Sequence, residues 1–132
     1  MGQRLIAKHV QLWESEPLIL VARIETAGGT PITTANVSSF SVTIFNVTSS
    51  TTPAEPVYQL GAIDPALGYY DTLQHDDAEN LLGDSGGYNF KYIIAADEFS
   101  FQGSNTYRVQ IVSQIGGSSH VQVYNVHVGE VF

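Results

Sequence analysis

Thr106-Tyr107-Arg108-Val109-Gln110-Ile111-Val112-Ser113 and Val121-Gln122-Val123-Tyr124-Asn125-Val126-His127-Val128 are two runs dominated by β-branched and aromatic residues, and Gly116-Gly117 lies between them. Apolar residues recurring at period two are the signature of a half-buried strand. Two adjacent glycines supply positive φ without steric cost, which the tight turns that match strand twist require. The spacing therefore predicts an antiparallel hairpin pairing 106–113 with 121–128. In the second run Val121 and Val123 point to one side and Tyr124, Val126 and Val128 to the other, which predicts a bulge near Val123.

Working outward, the same pattern recurs at Leu5 to Leu12, Leu18 to Glu25, Phe40 to Val47, Val57 to Leu60, Tyr69 to Leu73 and Tyr88 to Ala95. Phe40, Val42 and Ile44 share one face; Tyr88, Phe90, Tyr92 and Ile94 share another. Turn residues fall between the runs, at 27–31, 50–56, 83–87 and 102–105. Ser49 to Pro56 reads as a long loop, because 132 residues do not divide into two domains with adequate cores. Asp76 to Leu82 is the one short helical stretch, opened by Asp76 or Asp77 as N-cap. Seven to eight strands without helical crossovers predict an all-β, immunoglobulin-like antiparallel β-sandwich over 1–132, with an N-terminal arm over about 1–14. A jelly roll or a small barrel is the alternative. Gly103 followed by Tyr107 suits a tyrosine corner, in which the hydroxyl ties the chain back across the sandwich; an ordinary core aromatic is the competing role.

Composition narrows the chemistry. Thirteen Asp and Glu stand against five Lys and Arg, for a net charge of −8. Arg4, Lys8, Arg23, Lys91 and Arg108 form no basic stripe, so nucleic acid is not an expected partner. No cysteine is present, which removes disulfides, thiolate metal sites and cysteine nucleophiles. The N-terminus has no uninterrupted apolar h-region, Ile6 breaks the myristoylation pattern, and no apolar run approaches membrane-spanning length, so no secretion and no membrane partner are expected.

Gly83-Asp84-Ser85-Gly86-Gly87 repeats the string around the nucleophile of trypsin-like proteases, yet such enzymes need a His base and an orienting Asp as well. Neither His9 nor His75 has the expected context, and a glycine-rich turn explains the same residues. Asp71, Asp76, Asp77, Glu79 and Asp84 lack the alternating spacing of a calcium loop. His9, His75, His120 and His127 include no close pair in sequence, and His120 and His127 fall on opposite faces of a regular strand. No enzyme activity, cofactor or metal site is expected. Tyr58, Tyr69, Tyr70, Tyr88, Tyr92 and Tyr124 could stack on sugars, which leaves an extracellular carbohydrate-binding module as one alternative; core and cross-strand roles account for most such residues. Trp13, before Glu14-Ser15-Glu16-Pro17, is either a lid on the sandwich or an interface anchor. Leu5, Ile6, Val131 and Phe132 make both chain ends apolar and, with Trp13, are the candidate partner-binding residues.

Several strings together resemble small Ig-like virion proteins encoded among the structural genes of tailed bacteriophages. They are the Leu18 to Ile24 strand, Gly28-Gly29-Thr30-Pro31-Ile32, Val37-Ser38-Ser39-Phe40-Ser41-Val42, Asp71-Thr72-Leu73-Gln74, Gly87-Tyr88-Asn89-Phe90 and Thr106-Tyr107-Arg108-Val109. The resemblance implies a non-enzymatic capsid decoration or cement protein, made in bacterial cytoplasm and placed on the capsid exterior. Its implied partner is the major capsid protein, with self-association on the shell as a further expectation. A tail or baseplate adaptor of the same fold is the alternative within that group.

Overall fold

The computed structural model describes residues 7–48 and 55–130. Eight strands form the expected β-sandwich: β1 (Ala7–Trp13), β2 (Leu18–Ala22), β3 (Val37–Asn46), β4 (Tyr58–Ile63), β5 (Tyr69–Gln74), β6 (Tyr88–Ile94), β7 (Thr106–Ile115) and β8 (Ser118–Gly129). One sheet has the order β1-β8-β7-β3-β4 and the other β2-β6-β5. The core between them is made by alternate residues: Phe40, Val42 and Ile44 of β3, Val109 and Ile111 of β7, and Tyr124, Val126 and Val128 of β8 meet Leu18, Leu20, Tyr69, Phe90 and Ile94.

The terminal hairpin is as its sequence dictates. Gly116 and Gly117 both have positive φ, at 56° and 83°, and the β7–β8 register runs unbroken from Thr106 opposite His127 to Ile115 opposite Ser118. That continuity removes the expected bulge at Val123. Val121 and Val123 instead occupy the outer face of the larger sheet, partly covered. β-branched residues there pack along the pleat between neighbouring strands, so an apolar residue need not face the core.

Two further expectations are corrected. The sandwich is not wholly antiparallel, because β1 pairs parallel to β8 from Ala7 opposite Val123 to Trp13 opposite Gly129. For the same reason residues 7–13 of the expected arm are an edge strand. In β6, Phe90 and Ile94 join the core with Tyr92 packed against it, whereas Tyr88 is buried elsewhere, edge-on to Tyr70, with its hydroxyl donating to Asp76. The 49–56 loop lies largely outside the described residues.

Tyr107 is a tyrosine corner. Its hydroxyl accepts a hydrogen bond of 3.1 Å from the backbone N–H of Gln102, five residues upstream. Its ring meets Phe99 and Phe101 edge-on. Asp77–Leu82 forms a 3-10 turn capped by the Asp76 carboxylate, which accepts from the Ala78 N–H.

Candidate interaction surfaces

Trp13 ends β1 with its indole on the protein surface, 57% exposed. A Cβ on Gly129 would lie 2.8 Å and 2.9 Å from two ring carbons, so the indole can pack this close to that backbone because residue 129 is glycine. The following turn is fixed from both sides: the Trp13 N–H donates to the Glu16 carboxylate at 3.0 Å, and the Glu14 and Ser15 N–H groups donate to the carbonyls of Gly129 and Phe101. The Ser104 hydroxyl donates to Glu130. The result is one aromatic plate beside Glu14, Glu16 and Glu130, held by backbone on three segments.

The five candidate contact residues do not share one place in the chain's path. Because β1 and β8 are parallel, the chain enters β1 beside Val123 and leaves β8 beside Trp13, ends separated by six residue steps of about 3.3 Å, or about 20 Å. Leu5, Ile6, Val131 and Phe132 lie outside the described residues. Their attachment points are at opposite ends of the β1–β8 pair, with Trp13 at the end from which the C-terminus departs.

A second exposed apolar feature lies on the smaller sheet. Ile19 and Ile93 are directly opposite in the β2–β6 register and are 40% and 47% exposed. Leu81, also exposed, lines the same cleft as Ile19, at the open edge between β1 and β2. The signal for it was present in the strand parity: Ile19 lies between the core residues Leu18 and Leu20, and Ile93 precedes the core residue Ile94.

The protease-like string has another purpose. Asp84 receives both terminal nitrogens of Arg23, at 2.8 Å and 2.9 Å, and accepts from the Gly86 N–H. Arg23 also donates to the Gly87 carbonyl. A Cβ on Gly86 would fall 2.3 Å from the Arg23 guanidinium, so the glycine makes room for the clamp. Ser85 is exposed, and among the described residues no histidine is hydrogen-bonded to it. His75 is nearby but spends its Nδ1 on Glu79 at 2.7 Å. The acidic run is likewise dispersed: Asp71 accepts from the Thr34 N–H and hydroxyl, Asp76 caps the 3-10 turn, and Asp84 holds Arg23.

The Arg23 guanidinium beside Asp84, with the Gly86 N–H, holds the Asp84 carboxyl well below the usual carboxylate range. The Thr34 hydroxyl and N–H lower Asp71 in the same direction. A carboxyl depressed in the folded state contributes stability above its unfolded pKa and loses it as pH falls through the folded value. Acid unfolding should therefore steepen below about pH 4, and an Arg23→Gln, Asp71→Asn double variant should show a flatter pH dependence of its thermal midpoint in that range.

The four histidines are also rearranged by the fold. His120 and His127 do fall on opposite faces of β8, and burial pushes the His120 imidazole down. His9 and His127, 118 residues apart, are brought within 3.4 Å, a juxtaposition that no local spacing could reveal.

No protein-family model and no curated protein matches the chain. Among solved structures, Tim-1 is 14% identical over 99% of this chain and 97% of its own, with a TM-score of 0.35, a likeness too slight to bear on function.

Proposed function

We propose that this protein is a virion structural protein of a tailed bacteriophage, a decoration or cement protein that binds the major capsid protein and bridges neighbouring coat subunits. The observation that carries this is the set of phage-like strings, which fall in the 28–32 turn and in β2, β3, β5, β6 and β7. The arrangement of exposed apolar groups suits it: a bridging protein needs two separate contacts, and Trp13 stands at the edge of one sheet while Ile19 and Ile93 lie on the other. Aromatic anchors such as Trp13 contribute most of the free energy at interfaces, while surrounding contacts mainly exclude water. The carboxylates beside Trp13, on a chain of net charge −8, match a coat surface with an apolar pocket and a basic rim. Many such contacts act together on a shell, because each bound subunit raises the effective concentration of its neighbours' sites.

Counting the chain in purified particles of the phage that encodes it tests the assignment. Hundreds of copies per particle are expected. About six or twelve, the numbers that ring symmetry gives, would move it to the tail, and its absence from particles would end the virion assignment. Trp13→Ala should leave the thermal midpoint of the isolated domain within about 1–2 °C, since exposed substitutions change stability little, while lowering occupancy on the shell several-fold.

A further inference from the structure

We propose that His9 and His127 form a two-histidine site for a borderline divalent cation such as Cu²⁺, Ni²⁺ or Zn²⁺, clasping the first strand of the domain to the last. The two residues lie on the outer face of the β1–β8 pair, diagonal to one another across its parallel ladder. His9 Nδ1 and His127 Nε2 are 3.4 Å apart. The rings are within 15° of parallel with centroids 5.6 Å apart, so these nitrogens lie between the rings instead of on faces laid over one another.

Two imidazole nitrogens bound to one tetrahedral ion at about 2.0–2.1 Å are about 3.3 Å apart. The observed separation is already that of a ligated pair, and tilting the rings brings both lone pairs onto one ion. A second observation concerns the proton. His127 Nδ1 is 3.4 Å from the Thr106 hydroxyl on the neighbouring strand β7. In the tautomer that donates there, His127 Nε2 keeps a lone pair facing His9, as a metal ligand requires. Without metal, His9 Nδ1 can donate into that lone pair; when a cation binds, the His9 proton moves to its own Nε2 by exchange with solvent, so that both rings stay neutral and each offers one lone pair.

No third His, Cys, Asp or Glu joins the pair among the described residues. Water therefore completes the coordination. The net charge of −8 raises the local concentration of cations. Affinity for imidazole sites rises toward Cu²⁺ in the divalent series, so Cu²⁺ is the probe of choice. This inference stands independently of the virion assignment.

The test is a Cu²⁺ titration of the full chain to about 1 mM, at pH 7.5, followed by electron paramagnetic resonance. One equivalent bound through two imidazole nitrogens is expected. His9→Gln and His127→Ala should each weaken binding at least tenfold with the metal-free thermal midpoint unchanged, and His75→Ala and His120→Ala should bind as the parent does. Metal should raise the midpoint of the parent and not of His9→Gln, because a ligand that binds only the folded state stabilises it. Failure of the parent to take up Cu²⁺, or uptake that survives His9→Gln, overturns the proposal. Should His127→Ala not fold, the exposed edge-strand variant His9→Gln decides alone.

Discussion

Asn89→Ala is expected to destabilise the domain by about 2–6 kcal/mol, although it removes only a small polar side chain. Asn89 is fully buried, and its amide makes three hydrogen bonds to backbone: it accepts from the Ile24 N–H at 2.7 Å and donates to the carbonyls of Ile24 and Ile32 at 2.8 Å each. These bonds fix the segment after β2 and the 31–32 stretch to β6, where no strand ladder joins all three. The Ile24 carbonyl keeps the Ile32 N–H as a donor, so two backbone groups, the Ile24 N–H and the Ile32 carbonyl, lose the amide partner, each at a cost of about 1–3 kcal/mol. Asn89→Asp should be no rescue, since a carboxylate has no donor for the two carbonyls. Denaturant unfolding measures both variants, and a midpoint unchanged from the parent would mean that water substitutes for the amide.

Phe40→Ala is expected to cost about 3–5 kcal/mol, the range for a large aromatic deleted from a packed core. Phe40 is 1% exposed, and its ring meets Tyr69, Phe90 and Tyr92 edge-on at centroid distances of 5.9, 5.5 and 5.5 Å. It thus joins β3 of one sheet to β5 and β6 of the other. Gly68 comes so near that a Cβ there would lie 2.8 Å from the Phe40 ring, so the surrounding backbone is already drawn in and has little room to collapse into a cavity. For a domain of this size the loss should lower the thermal midpoint by about 10–20 °C. Leu67→Ala, at a residue 68% exposed, should shift it by no more than about 2 °C.

Local chemistry made the strands legible. All eight correspond to apolar runs between turn residues, the Gly116-Gly117 hairpin follows from φ alone, and the tyrosine corner and the Asp76 cap were marked by residue type and spacing. What sequence reading missed depends on contacts between distant segments. The parallel pairing of β1 leaves no local mark, because a strand's own pattern does not name its neighbour. Val121 and Val123 misled because alternation was read as core against solvent, while the outer face of a broad sheet also accommodates valine. The Arg23–Asp84 clamp, 61 residues apart, gives the Gly-Asp-Ser-Gly-Gly string a structural purpose that the string itself does not disclose. Of the candidate contact residues, Trp13 is placed where a partner can reach it. The exposed Ile19 and Ile93 are legible in strand parity, since each adjoins a core residue of its own strand.

The proposed cement role is tested most directly by the thermal stability of capsid shells of a phage carrying this gene, stripped of this chain and then supplied with it. The purified protein should bind saturably and raise the temperature at which the shell releases its DNA, and Trp13→Ala at the same concentration should leave that temperature near the value of the bare shell. Shells whose release temperature is the same with and without the wild-type chain would contradict the account.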